Sequence, residues 1–268
     1  MINVPFAPVN DVKIYYEVRG EGEPIAFLNG IMARTVSWGN QTRYFVKNGY
    51  KVILHDFRGQ GQSDRPRIKY SMDMHVEDLK RLLDALNIRK LHLVGLSYGG
   101  KVALMFALKY PQYLKSLTVA STTPTVDKAI RAKVDRWILG ARFRSGRILF
   151  QIVYPDIYSD DFLETRWEFV MSTAPAFEQL DFDALIELSK AFLEVDLRGK
   201  MTSINIPTLI VVGSEDKVFP PKYSKMIHEE IKRSKLIIVE GCGHVIIWEK
   251  PDEFNKIIHE FIKYQTGG

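Results

Sequence analysis

Leu91-His92-Leu93-Val94-Gly95-Leu96-Ser97-Tyr98-Gly99-Gly100, continued by KVALMFALKYP to residue 111, is the stretch from which the rest of the chain is read. A short apolar run ends in a glycine-flanked serine, and an apolar pattern of helical period begins at once. The run is too short for a core helix and reads as a buried strand. Gly95-Leu96-Ser97-Tyr98-Gly99 therefore joins strand to helix in one sharp turn, the G-x-S-x-G spacing in the context that gives it meaning. Such a turn holds the serine in a backbone conformation that residues with side chains avoid, turns its hydroxyl outward, and leaves room only for glycine two residues away on either side. The following helix N-terminus sets amide dipoles beside any negative charge that develops there. The bland reading is a glycine-rich turn with a capping serine. The flanking strand and helix, together with Gly100, favour a nucleophile at Ser97.

A serine hydroxyl is a weak nucleophile until a base takes its proton. Of the six histidines, His92 falls inside the strand and His55 ends another. His75, His228 and His259 fall on helical stretches. Only His244 sits in a tight glycine loop, Gly241-Cys242-Gly243-His244, between the last strand and the last helix, so it is the expected base. The third member must orient the imidazole and stabilise its cation. PTLIVVG ends in Ser214-Glu215-Asp216-Lys217, which puts Asp216 at the carboxyl end of a strand, where open α/β sheets gather functional groups. Glu215 competes with it. The loop ASTTPT after the preceding strand has no carboxylate. The order nucleophile, acid, histidine is the one this fold requires.

Outward from these motifs, short apolar runs recur with helical stretches between them: Ile25-Leu28, Lys51-Leu54, Leu91-Leu96, Leu117-Ala120, Thr208-Val212 and Leu236-Val239. That alternation implies a mostly parallel sheet with helices on both faces. Ahead of it, INVPFAPV and VKIYYEVRG flank Asn10-Asp11 and read as an antiparallel hairpin, for an eight-stranded sheet in all. From about Thr123 to Lys200 the alternation stops, and only helical periodicity is found. The expected organisation is a core of residues 1–122 and 201–268 carrying a helical cap at 123–200, whose aromatics Trp137, Phe143 and Tyr154 would line a substrate pocket.

Composition narrows the function classes. The chain has 268 residues, 46% hydrophobic and 26% charged, as in an ordinary soluble domain. No apolar run approaches the roughly 20 residues of a membrane span, and no leader pattern opens the sequence. The single cysteine, Cys242, excludes an intrachain disulfide. A cytoplasmic location is the expectation. The net charge of +5 is spread among acidic residues. Its densest cluster, Lys128 to Arg147, reads as a solvated helix face rather than a nucleic-acid surface.

The segments AFLNGI, HDFRGQGQSD, VGLSYGG, VVGSEDKVFP and GCGH followed by WEKPDEFNKIIHEFI together resemble the α/β-hydrolase fold family, in its capped branch of carboxylesterases, enol-lactonases and cofactor-free perhydrolases. The resemblance spans nearly the whole chain. It implies an oxyanion hole made by the backbone N–H of Tyr98 and of Ile31, with Asn29-Gly30 standing where the family has His-Gly. It implies acyl transfer from a small ester or lactone to water through Ser97, His244 and Asp216, with no metal and no organic cofactor. Serine at the turn argues against dehalogenase-like and epoxide-hydrolase-like relatives, which carry a carboxylate there. LNGIMA lacks the glycine-rich loop of carbon–carbon bond hydrolases. A non-enzymatic small-ligand receptor of the same fold is the reading from another class. The loop Asp56 to Ser63, D-x-R-G-x-G-x-S, is expected to buttress the site rather than react, and Cys242 to fill space beside His244.

Overall fold

The computed structural model describes residues 5–266. Its centre is one eight-stranded sheet in the order β1-β2-β4-β3-β5-β6-β7-β8. The strands are β1 (Phe6–Val9), β2 (Val12–Arg19), β3 (Glu23–Leu28), β4 (Tyr50–His55), β5 (Leu91–Leu96), β6 (Leu114–Ala120), β7 (Thr208–Gly213) and β8 (Ser234–Val239). The first two form the expected hairpin: Val9 pairs with Val12, so Asn10-Asp11 is a two-residue turn, and Asn10 takes a positive φ of 52°. Residues 2–4 of that expected segment lie outside the described residues. β2 meets β4 antiparallel, and every pairing from β4 to β8 is parallel. Parallel strands buried on both faces read as continuous apolar runs, which is why β5 and β7 are buried along their whole length.

Helices cover both faces. α1 (Gly39–Lys47) and α11 (Pro251–Thr266) pack on one side, where Phe27, Trp38, Phe45, Leu209 and Phe254 form a core. α2 (Met72–Ala85), α3 (Tyr98–Lys109) and α9 (Pro221–Glu230) pack on the other, around Leu79, Val102, Phe106 and Ile227. The short α10 (Ile246–Glu249) precedes α11. β6 begins three residues before the apolar run that marks it, because Leu114 and Ser116 also face the interior while exposed Lys115 interrupts the pattern at a register shift.

Between β6 and β7 lie α4 (Lys128–Arg142), α5 (Gly146–Ile157), α6 (Asp160–Thr165), α7 (Trp167–Ser172) and α8 (Phe182–Leu193), with no strand among the described residues. Four of these helices start on side-chain caps. Asp127, Ser145, Ser159 and Asp181 accept from the backbone N–H of Ile130, Ile148, Phe162 and Ala184. α4 and α8 bury Val134, Trp137, Ile138, Leu185 and Leu188 in the same core as the sheet-covering helices, so the inserted helices share an interior with the sheet.

Candidate active site

Ser97 stands between β5 and α3 at φ 55°, ψ −114°, a conformation rarely adopted by a residue with a side chain. The neighbourhood over-determines it. The Ser97 N–H donates to the carbonyl of Ala120 at 2.9 Å, and its carbonyl accepts from Thr122 Oγ1 at 2.7 Å. The glycines are demanded by close approach: a Cβ on Gly95 would lie 2.3 Å from the Gly99 carbonyl oxygen, and one on Gly99 would lie 2.4 Å from that of Leu28. The turn thus presses against both itself and β3, and its side of the sheet is set without slack.

His244 and Asp216 come together from two different loops. Nδ1 of His244 lies 2.9 Å from Oδ2 and 3.0 Å from Oδ1 of Asp216. Both side chains are buried. The carboxylate also accepts from the backbone N–H groups of Val218 at 2.9 Å and Phe219 at 2.8 Å, so the turn after β7 aims it at the imidazole. Glu215, the sequence competitor, is exposed, and it is Asp216 that meets the histidine. Gly213 permits this: a Cβ there would lie 2.1 Å from the Cys242 carbonyl oxygen, so the two loops touch through glycine. Cys242 is buried beside His244, and burial pushes its thiol well above the ordinary range. The remaining histidines sit in the elements the sequence suggests, with His55 and His75 deep in the interior.

The loop after β3 approaches Ser97 from the other side. A Cβ on Gly30 would lie only 3.6 Å from that of Ser97. The loop is shaped by Asn29, whose amide donates to the His55 carbonyl at 2.9 Å and accepts from Trp38 Nε1 at 2.9 Å. Met32 follows at φ 66°, and Ala33 N–H closes a turn on the Gly30 carbonyl. Among the described residues, no backbone carbonyl outside helices and strands accepts from the N–H of Ile31, and Tyr98 begins α3, where amides lack intrahelical partners. The loop from Asp56 to Ser63 pairs within itself, Asp56 accepting from Gln62 N–H at 2.9 Å and from Ser63 Oγ at 2.6 Å, and with its surroundings, Asp56 accepting from Thr35 N–H at 2.8 Å and Arg58 donating to Asp78 at 2.6 Å.

Ser97 and His244 line one cavity of 360 Å³, whose walls are largely apolar. Ile31 lines it, and Trp137, Val153, Ile157, Phe169 and Phe177 of the inserted segment form much of the rest. Of the three aromatics singled out by sequence, Trp137 is in this wall and the other two are not. Phe143 follows α4, outside its buried stripe of Ile130, Val134, Trp137, Ile138 and Ala141, and is 60% exposed. Tyr154 packs on Phe150 and Trp167 at ring distances of 5.0 and 5.9 Å, and its neighbour Val153 takes the cavity side.

One residue of consequence escapes the sequence reading. Glu249 of α10 accepts from Ser159 Oγ at 2.6 Å and from Gly243 N–H at 3.0 Å. Burial raises its carboxyl pKa, and those same hydrogen bonds oppose the shift. It clamps the histidine loop to the inserted segment. The clamp is reinforced by the Ile157 carbonyl, which accepts from His244 N–H at 3.0 Å. The sequence signal is the Trp-Glu-Lys-Pro stretch that begins four residues past His244. Its partner Ser159 is 90 residues away in sequence, which no local pattern reveals.

Comparison with known proteins agrees with this architecture. A family model described as alpha/beta hydrolase fold matches residues 23–251. The chain is 28% identical to a 2-hydroxy-6-oxo-6-phenylhexa-2,4-dienoate hydrolase of Comamonas testosteroni, over 95% of this chain and 93% of that one. Among solved structures it matches MGS-M2, an alpha/beta hydrolase enzyme from a Medee basin deep-sea metagenome library, at TM-score 0.91 and 31% identity, over 96% of each chain. The fold of an enol-lactonase from Burkholderia xenovorans LB400 is matched at TM-score 0.90 and 23% identity, over 97% of this chain and 100% of that one. A sheet of this order, with a strained serine after its fifth strand and a family match across most of its length, makes the chain a member of the alpha/beta hydrolase fold family.

Proposed function

We propose that the protein is a serine hydrolase of small, fairly apolar carboxylic esters, acting through an acyl-enzyme on Ser97. The observation that supports this most directly is the contact of His244 Nδ1 with the buried Asp216 carboxylate at 2.9 Å, with His244 in the wall of the cavity that Ser97 lines. The other ring nitrogen takes the Ser97 proton as Oγ attacks the ester carbonyl. Asp216 holds the tautomer and stabilises the imidazolium. The N–H groups of Ile31 and Tyr98 receive the tetrahedral oxyanion, an interaction worth roughly 3–4 kcal/mol per donor in other hydrolases. His244 then protonates the leaving alcohol, and water releases the acyl group by the reverse route.

Residues 123–200 act in this reading as a cap on a core of residues 1–122 and 201–268, and the inserted side chains set which acyl groups fit. Lactones enter by the same chemistry, and peracid formation requires only a peroxide in place of water. We assign the protein to the cytoplasm, where its single buried thiol stays reduced.

The test is active-site labelling combined with a substrate panel. A sulfonyl fluoride should modify one serine, in the peptide containing LVGLSYGGK, and Ser97→Ala should lose both the label and the burst of p-nitrophenol. The panel sets p-nitrophenyl esters of graded acyl length beside lactones and a conjugated oxo-dienoate of the kind named for the Comamonas relative. Short acyl chains, roughly two to eight carbons for a pocket of this size, should turn over fastest. A wild-type protein that takes no label and binds esters without turnover would be a receptor, and preference for the dienoate would make it a carbon–carbon bond hydrolase.

A further inference from the structure

Beside the apolar cavity lies a second one, of 220 Å³. Met32, Ala33, Arg34 and Ala176 line both, so the two adjoin. The second has a different character. Arg34 and Arg65 are in its wall, and the hydrogen-bond acceptors of both are neutral: Arg34 Nη1 donates to Gln179 Oε1 at 2.9 Å, and Arg65 donates to the Gly61 carbonyl, while the charge nearest Arg34 is that of the buried Asp56. Gln60 lines the same space at 6% exposure, with neither its amide nitrogen nor its amide oxygen partnered. A buried amide left unpaired costs about 1–3 kcal/mol, and such a group in a folded protein calls for an explanation. The one acid in that wall, Asp181, is engaged already. It caps α8 through Ala184 N–H at 3.0 Å and pairs with Arg67 at 3.2 Å. Asp56 lies behind, its oxygens taken by the N–H groups of Thr35 and Gln62. Two guanidinium groups and an idle amide thus face a single occupied acid, and a guanidinium fork matches the geometry of a carboxylate.

We propose that this second cavity is a carboxylate subsite. The preferred substrate is an ester that carries a free carboxylate at the end remote from the scissile bond, a half-ester of a dicarboxylic acid for example. Arg34 and Arg65 bind that carboxylate and the Gln60 amide donates to it, while the ester lies against Ser97 in the apolar cavity. The inference rests on the serine-hydrolase reading above for the position of the ester, and on the second cavity alone for the anion.

The experiment compares mono-p-nitrophenyl esters of dicarboxylic acids of graded length with the same compounds capped as methyl esters. At the best length, the free acid should be cleaved with a kcat/KM higher by roughly tenfold or more, the worth of one charge-assisted hydrogen bond. Arg65→Gln, outside the cavity that holds the ester, should remove that advantage and leave the capped ester unaffected, whereas Arg34→Gln, which lines both cavities, should lower kcat/KM for the free acid more than for the capped ester. Gln60→Leu should weaken the free-acid ester while raising thermal stability, since it deletes an unpaired buried amide. Equal rates for free and capped esters in wild type, or equal losses on both in the variants, overturn the proposal. Calorimetry with adipate on the Ser97→Ala protein decides the matter without turnover: binding that weakens in Arg65→Gln supports the subsite, and no binding overturns it. If neither ester turns over yet adipate binds in this way, the hydrolase reading fails and the subsite stands. If acetate or inorganic phosphate binds as tightly as adipate and leaves cleavage of the free-acid ester unimpeded, the cavity holds a separate anion and the substrate claim falls.

Discussion

Single side chains at this site are held by more bonds than their sequence neighbours suggest. Asp216 receives two backbone N–H groups as well as His244, whereas adjacent Glu215 is exposed. Asp216→Asn should therefore lower kcat by about four orders of magnitude, as loss of the orienting carboxylate does elsewhere, and Glu215→Gln should leave it within twofold or so. Steady-state rates on a short p-nitrophenyl ester check both, and the reverse result would move the acid to Glu215. Trp137 of α4 and Phe143, which follows that helix, separate in the same way. Trp137 lines the cavity and Phe143 does not. Trp137→Leu should change the acyl-length profile and KM. Phe143→Ala should leave kinetics unchanged and stability within about 0.5 kcal/mol.

At the scale of elements, the histidine loop is held by the turn after β7 and also by α10 and the helices between β6 and β7. Glu249 holds Gly243 and Ser159 together, and Gly243 has no room for a Cβ, which would lie 2.5 Å from Ser159 N. A glutamine keeps one acceptor oxygen where the carboxylate offers two, so Glu249→Gln breaks part of the clamp. Misplacement of a catalytic group by an ångström costs on the order of a hundredfold. The expected outcome is a kcat lower by about ten- to a hundredfold with KM for a short ester little changed. A purely structural role would instead lower the melting temperature and leave kcat of the folded fraction intact, so kinetics and thermal melting are measured together.

Over the whole molecule, the interior makes stability depend on pH. His55 and His75 are fully buried, and their pKa values fall from 6.5 to about 4 and about 3; desolvation is the cause for both, with the nearby Arg58 charge adding to it for His75. Once unfolded, each takes up a proton below about pH 6.5, which the folded protein refuses until far lower pH. Stability is therefore full above pH 6.5 and declines as pH falls toward 4, by about 1.4 kcal/mol per pH unit for each histidine once below its unfolded pKa. Urea midpoints of wild type at pH 7.5, 6 and 5 should drop accordingly, and His75→Phe should make the decline shallower. A midpoint indifferent to pH across that range would contradict this account.

How much of this was legible in residue order depends on how locally each feature is encoded. The strand-turn-helix at Ser97 and the hairpin at Asn10-Asp11 rest on short-range sterics and hydrogen bonds, so a few consecutive residues determine them. Sheet class follows from apolar runs of recurring length, which report burial on two faces. The sequence also narrowed the acid to two adjacent residues. It put Asp216 first, and the tertiary structure adds the contact itself, since the turn after β7 directs the Asp216 carboxylate at a loop 28 residues on. Only the tertiary structure decides the cavity wall. Trp137, Phe143 and Tyr154 are alike as aromatics in helical segments, and packing between α4, α5 and α7 decides which of them the cavity receives. Glu249 with Ser159, and Arg34 with the loop that carries Gln60 and Arg65, are juxtapositions made by folding distant segments together; no period or spacing along the chain encodes them.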